Sequence, residues 1–339
     1  MKITLITLML LLAVPAFAQE QPAPLVFFGR GLYLMDAATG EVESWGACGS
    51  GSGVPRISPN GEWIAQTHVS SGIRLCNLYT REVRDLPLPD GLDDEVYSSW
   101  PAWSPDGAQI AWAVANDDLS ALAVYDLESE TSRLLVEELP ESPYPIQVLW
   151  GKSGILVSAQ TRGKLIAPLY SAEGELLAED FAYGASFMIF FWVTDSDGKE
   201  YLGRYQNYWM GDIVDPETGD VYFASGIELY NPAAPDSLGI RVDMESPDWF
   251  AYLPDGETVN ISDLTPSLSD FVPYLQFDPH NIAISPDGEA FAIFDLDQII
   301  WRDGEITELP RELPRGDSTG VIWSPLAHRI AGEIFSGAG

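Results

Sequence analysis

Apolar and polar positions alternate in short runs along most of this chain, and the runs come in pairs around a recurring turn. Ile57-Ser58-Pro59-Asn60-Gly61 leads into Glu62-Trp63-Ile64-Ala65, and Trp103-Ser104-Pro105-Asp106-Gly107 into Ala108-Gln109-Ile110-Ala111. Ile284-Ser285-Pro286-Asp287-Gly288 leads into Glu289-Ala290-Phe291-Ala292. A worn copy, Trp323-Ser324-Pro325, precedes His328-Arg329-Ile330-Ala331. Proline presets φ for the first central position of a turn, Asp or Asn tolerates the next, and Gly takes the positive φ that closes a hairpin. The flanking Trp, Ile and Phe residues are strand formers. Each copy predicts a β-hairpin.

A second pair of strands follows each copy. Ile73-Arg74-Leu75-Cys76-Asn77, Leu122-Ala123-Val124-Tyr125-Asp126 and Gln298-Ile299-Ile300-Trp301 each end in a polar turn. A last strand follows, as at Thr80-Arg81-Glu82-Val83 and Asp303-Gly304-Glu305-Ile306. Two hairpins make a four-stranded unit of about 45 residues, the size of a propeller blade. Ser58 and Ser104 stand 46 positions apart, and Trp150-Gly151-Lys152-Ser153-Gly154 is a degenerate copy one period on. Asp215-Pro216-Glu217-Thr218-Gly219, before Val221-Tyr222-Phe223-Ala224, reads as another. The expected architecture is all-β, a β-propeller of four-stranded antiparallel blades. Six blades are favoured; a seventh would lie near Asp195-Ser196-Asp197-Gly198 or Pro254-Asp255-Gly256.

The two ends look complementary. Residues 321–336 read as a first hairpin that lacks its second, and residues 25–46, with Leu32–Asp36 and Thr39–Val42, as a second that lacks its first. Pairing them in one shared blade would close the ring and remove its free sheet edges. Proline and glycine are spread throughout, with no linker-like cluster, so residues 19–339 are expected to form one domain.

Residues 1–18 stand apart. Met1-Lys2, an apolar stretch and Ala16-Phe17-Ala18 have the form of a signal peptide cleaved before Gln19, so the mature chain is expected in the periplasm or outside the cell. No later run reaches the length of a membrane span; Phe187–Val193, the most apolar, reads as a buried strand. In an oxidising compartment the two cysteines, Cys48 and Cys76, become a disulfide candidate, with two independent thiols the other reading.

Seventeen basic against 51 acidic residues give a formal net charge of −34. A surface of that sign repels nucleic acid and anionic lipid and suits a cationic partner, a divalent ion or plain solubility. Chemical motifs are sparse. His68, His280 and His328 lack zinc-ligand spacing, Gly151-Lys152-Ser153 lacks the first glycine of a phosphate loop, and no Gly-x-Ser-x-Gly elbow occurs. Asp195 and Asp197 place oxygens at alternating positions, as short calcium loops do, but the full twelve-residue loop is lacking and an Asp-Gly hairpin turn explains them more cheaply. Asp90–Glu95 reads as a solvated loop between blades. No catalytic or cofactor-binding residue is assigned; calcium is the one cofactor with a candidate site.

The Ser-Pro-Asp/Asn-Gly hairpins followed by x-x-Ile/Phe-Ala resemble the WD-like repeats of the TolB-type propeller family. The resemblance is clear at three copies, partial at three more and absent across about 225–280. It implies a six-bladed ring. TolB-type proteins are periplasmic, partner a lipoprotein and carry an extra N-terminal α/β domain, whereas here the repeats begin just after the cleavage site. Similar repeats also cap prolyl-oligopeptidase-type peptidases, for whose hydrolase domain no room remains. Two function classes follow. The first is an exported, monomeric binding module that recognises a protein, peptide or glycan through inter-blade loops. The second is a metal-dependent small-molecule hydrolase or lyase with a carboxylate-lined channel.

Overall fold

The structure, a computed structural model, describes residues 24–29, 31–48, 54–68, 72–92, 96–116, 119–139, 144–161, 164–181, 189–206, 209–243, 249–264, 282–294, 298–309, 313 and 320–336. The expected solvated loop Asp90–Glu95 lies partly outside them, and His280 wholly so. Strands β1 (Leu25–Phe28), β2 (Leu32–Met35) and β3 (Val42–Ser44) open the chain. A four-stranded sheet follows: β4 (Arg56–Ile57), β5 (Trp63–His68), β6 (Gly72–Asn77) and β7 (Val83–Asp85). The next contains β8 (Tyr97–Ser98), β9 (Ala102–Trp103), β10 (Gln109–Ala115), β11 (Ser120–Asp126) and β12 (Thr131–Val136). Then come β13 (Tyr144–Gly151), β14 (Gly154–Thr161), β15 (Lys164–Ile166), β16 (Leu169–Tyr170) and β17 (Leu176–Ala178).

The fifth group is β18 (Ile189–Thr194), β19 (Glu200–Gln206), β20 (Trp209–Val214), β21 (Val221–Tyr230), β22 (Gly239–Asp243), β23 (Trp249–Tyr252) and β24 (Thr258–Asn260). A single helical turn, α1 (Ile261–Leu264), ends it. The sixth sheet is β25 (Ile282–Ile284), β26 (Ala290–Phe294), β27 (Gln298–Arg302) and β28 (Glu305–Glu308). Strands β29 (Gly320–Ile322) and β30 (Ala327–Ser336) complete the described chain. Among the described residues no helix is long and apolar enough to cross a membrane.

Period-2 alternation explains how the sheets assemble. In β10, Ile110, Trp112 and Val114 pack with Ala65, Ile73 and Leu75 of the preceding sheet, while Ala111 and Ala113 pack with Val148, Ile155 and Val157 of the following one. Both faces of β10 are thus buried between neighbouring sheets, the reverse of a sheet with one wet side, whereas outer strands such as β28 stay exposed. The same holds at every junction. Leu156 and Leu169 meet Phe190 and Leu202, and Val193 and Ile213 share one cluster with Ile227, Leu229 and Ile240 and, beyond them, Phe291 and Ile293. Ala292 and Phe294 meet Leu25 and Phe27. Val26 and Phe28 meet Ile64 and Cys76, which returns to the starting sheet. Six apolar clusters between six sheets therefore close a ring.

The seam joins the two ends of the chain. β29 pairs antiparallel with β1 through Val26↔Ile322, Phe27↔Val321 and Phe28↔Gly320, and the sheet runs β29-β1-β2-β3. The division of that blade differs from the one read in the sequence. The C-terminus supplies one strand and the N-terminus three, because β1 occupies the position expected for residues 329–335. β1 is buried along its whole length. The competing run would bring Arg329 and Glu333 into the same slot, and burying unpaired charge is costly. β30 instead enters an eight-stranded sheet, pairing with β21 over eight registers from Tyr222↔Ser336 to Tyr230↔Ala327 and parallel with β18 at His328 and Arg329. Cross-strand Arg329 forms a bidentate pair with Glu228, with Nη2 2.6 Å from Oε1.

The repeat phrase holds its hairpins as the residue types require. Ser58 and Ser104 donate to Asn60 and Asp106, both at 2.6 Å, and accept from the backbone N–H of Trp63 and Gln109, both at 2.9 Å. Ser285 does the same with Asp287 and Ala290. Gly61, Gly107 and Gly288 adopt φ of 74°, 72° and 68°. The Asp215–Gly219 copy is a turn of another kind: it joins β20 to β21. The hairpin that returns from β18 to β19 is the one at Asp195–Gly198.

Candidate functional site

The turns that end the innermost strands pack on one another around the ring axis. A methyl group on Gly107 would stand 3.4 Å from Pro59 Cδ, and one on Gly61 3.7 Å from Pro325 Cδ. Trp103 Nε1 donates to Arg56 O at 3.0 Å, and Ser324 Oγ donates to Ile284 O at 2.7 Å, each crossing to a neighbouring sheet. The worn fourth copy has thus exchanged its intra-turn partner for an inter-blade one.

Within this circle lies a cavity of about 480 Å³. It is walled by the inner strands and their turns: Arg56 and Ile57 from β4, Trp103 from β9, Gln147 to Gly151 from β13, Phe190 to Trp192 and Thr194 from β18, Leu229 and Tyr230 from β21, and Val321 and Ile322 from β29. The prolines at 59, 105 and 325 line it too, as do Lys152, Glu200 and His328. Its walls are therefore mostly aromatic and aliphatic, with a few polar groups, and its size falls in the usual range of ligand sites.

Several of these groups are held in place. Gln147 Nε2 donates to Phe190 O at 3.1 Å and its Oε1 accepts from Phe190 N–H at 3.3 Å, so one amide clamps β13 to β18. The Trp192 indole lies on Gly151, where an added methyl would come within 2.7 Å of the ring; only glycine allows this approach. The His328 ring packs on Phe191 with centroids 4.7 Å apart. Arg56 lies 5.9 Å from the centre of the Trp100 ring. A smaller cavity of about 240 Å³ adjoins, sharing Lys152 and Glu200 and adding Ser153, Lys199 and Glu217. There Glu200 accepts from Ser153 N–H at 2.7 Å. Lys199 reaches the buried Asp215 at 2.5 Å. Burial pushes the Asp215 carboxyl up, but the Lys199 ammonium and the N–H groups of Glu217 and Thr218 outweigh it and hold the group below the usual carboxylate range.

The residues singled out in the sequence are distributed otherwise. Asp195 spends its carboxylate inside the hairpin: Oδ1 accepts from the N–H groups of Asp197 and Lys199 at 2.9 Å, and Oδ2 from Tyr201 Oη at 3.3 Å. Asp197 is exposed beside it. No group of three or more His, Cys, Asp or Glu side chains suited to a metal ion occurs among the described residues. Cys48 and Cys76 are joined as a disulfide with Cα atoms 6.1 Å apart, tying the connection after β3 to β6. Gln66 Nε2 donates to the Cys48 carbonyl. Of the channel residues, Arg56 and Trp192 carry no motif in the sequence, and Trp150 and Lys152 stand there only as parts of a degenerate repeat copy. Their signal was present, since each lies on or just beside an inner strand next to its turn.

No protein-family model matches the chain, and no curated protein does either. Solved structures do. Dihydro-heme d1 dehydrogenase NirN in complex with DHE is 16% identical, with 90% of this chain and 76% of that one covered, at a TM-score of 0.50. A functionally unknown protein from Desulfotomaculum acetoxidans DSM 771 is 11% identical, covering 89% and 99%, also at 0.50. TolB from Acinetobacter baumannii is 13% identical, covering 90% and 66%, at 0.45. At these identities the likeness is one of fold. The chain is a β-propeller. In a propeller the axial channel is where loops and inner strands of every blade converge, and here that channel is the largest cavity described above.

Proposed function

We propose that this propeller is an exported binding module that takes its ligand at the mouth of the axial channel. The observation that carries the reading is the channel wall itself, which sets Trp103, Trp150, Trp192 and Tyr230 around about 480 Å³ with Arg56, Lys152 and Glu200 among them. Flat aromatic faces with a few orienting polar groups suit a loop of a partner protein, a peptide or a glycan. The signal-peptide-like first 18 residues and the paired cysteines support a periplasmic or secreted setting. We also assign seven blades. The eight-stranded sheet contains two four-strand groups, β18 to the start of β21 and the end of β21 to β24, with β30 wedged between them.

The experiment is capture from native envelope and medium on immobilised mature protein, followed by titration of the recovered ligand against tryptophan fluorescence. Wild type gives a saturable spectral shift, and Trp150→Ala weakens binding by about tenfold or more, the scale of an aromatic anchor. Equal binding by Trp150→Ala and Arg56→Ala would refute the channel. Adding calcium or manganese during thermal melts separates the metal-dependent enzyme reading, which requires a saturable rise of several degrees.

A further inference from the structure

Large apolar side chains are mostly buried in this protein, yet three of the exposed ones share one place. Phe223 (46% exposed) and Phe335 (50%) face each other across the β21–β30 ladder, and Ile334 (37%) stands next to them opposite Ala224. Only one edge of β30 is used there. β18 pairs with β30 at His328 and Arg329 alone, so from Ile330 to Ser336 the far edge of β30 faces no strand among the described residues. Lysine and proline, which commonly blunt an open edge, are absent from Ile330–Ser336, and a bulge opposite Ser225 is the one interruption along it. Its one charged residue is Glu333, exposed, and exposed Asp220 immediately precedes β21.

We infer that the outer edge of β30 is a strand-docking site for an extended, basic segment of a partner protein. The outward-pointing N–H and C=O groups of β30 on either side of its bulge would continue the ladder, Phe335 and Phe223 would take alternate apolar side chains, and lysine or arginine at the remaining positions would meet Glu333 and Asp220. Strand addition of this kind derives affinity from the main chain and specificity from alternate side chains. Charge decides the occupant. A net charge of −34 favours a cationic segment, whereas a second copy of this chain would bring another −34 to the same edge.

The test uses the mature protein and a fluorescein-labelled ten-residue peptide alternating lysine and valine, read by anisotropy at low and physiological salt. Binding is expected to saturate. N-methylation of every second amide is expected to weaken it by about tenfold or more, since ladder hydrogen bonds are lost. The Phe223→Ser/Phe335→Ser double variant is expected to lose a similar factor while melting within about a degree of wild type, because both rings are already exposed. Unchanged binding of the N-methylated peptide would reduce the effect to general charge attraction and overturn the inference. So would equal binding by the double variant, no binding at all, or a wild-type dimer in light scattering that the double variant abolishes, which would make a second copy the occupant.

Discussion

Reducing the Cys48–Cys76 bond should lower the melting temperature by a calculable amount. The bond spans a sequence separation of 28 and anchors the segment between β3 and β4 to β6, so it links the blade built from both chain ends to the next one. Loop-closure entropy for a loop of about 28 residues gives about 3.6 kcal/mol at 25 °C. For residues 19–339, about 320 residues, the unfolding entropy is near 0.67 kcal/mol/K at about 2.1 cal/mol/K per residue, which converts the loss to about 5 °C. Both cysteines are fully buried, so the thiols must be generated by reduction in denaturant and refolding under reductant. The assay is differential scanning calorimetry of oxidised and reduced wild type, which leaves side-chain volume almost unchanged. A Cys48→Ala/Cys76→Ala pair should fall further, because it adds two small voids to the same cluster. Melting within 1 °C for the two redox forms, or two free thiols in a non-reducing peptide map of the native protein, would refute the reasoning.

Phe27→Ala removes a fully buried ring whose centroid lies 5.0 Å from Phe294 of β26 in the neighbouring sheet, and should cost about 3–5 kcal/mol in urea unfolding. Gly151→Ala drives a methyl to within 2.7 Å of the Trp192 indole, so it should cost about 1–3 kcal/mol and shift tryptophan emission from the channel. Ser104→Ala strips a buried turn of two hydrogen bonds and should cost about 1–3 kcal/mol by thermal melting. Acid should act through the same turn. The Ser104 hydroxyl, with the Ala108 N–H, holds the Asp106 carboxyl below its ordinary value. A depressed folded-state pKa contributes stability that is complete above the unfolded pKa, near 3.9, and disappears as pH falls through the folded value. The gap between wild type and Ser104→Ala should therefore be constant from pH 7 to about 5 and narrow below about 4; a gap that widens in acid would contradict this.

The fold was legible because its signals are local. Proline, Asp or Asn, and Gly at fixed offsets dictate a turn whatever surrounds it, and Ile110–Val114 announces a strand buried on both sides. What escaped was non-local. Nothing near Arg329 says that Leu25–Phe28 will outcompete it for the slot beside β29; the contest depends on the burial of residues almost a chain length away. The same limit governs the candidate site. Arg56, Trp150 and Lys152 sit in ordinary strand or turn positions, and only closure of the ring brings them to one cavity. Asp195 and Asp197 show the same ambiguity at short range, since an Asx turn and a short cation loop ask for the same residues at the same spacing, and the Asp195 carboxylate here holds the turn.

The seam also sets a timetable. Val26 and Ile322 are 296 positions apart, yet the ring has no closed form until they pair. During synthesis the first three strands of that blade must wait, apolar faces uncovered, until almost the whole chain has been made. Contacts of such long sequence separation form slowly. A chain that cannot lock shut early stays open for longer, so the position of β29 ties completion of the fold to the arrival of the last blade.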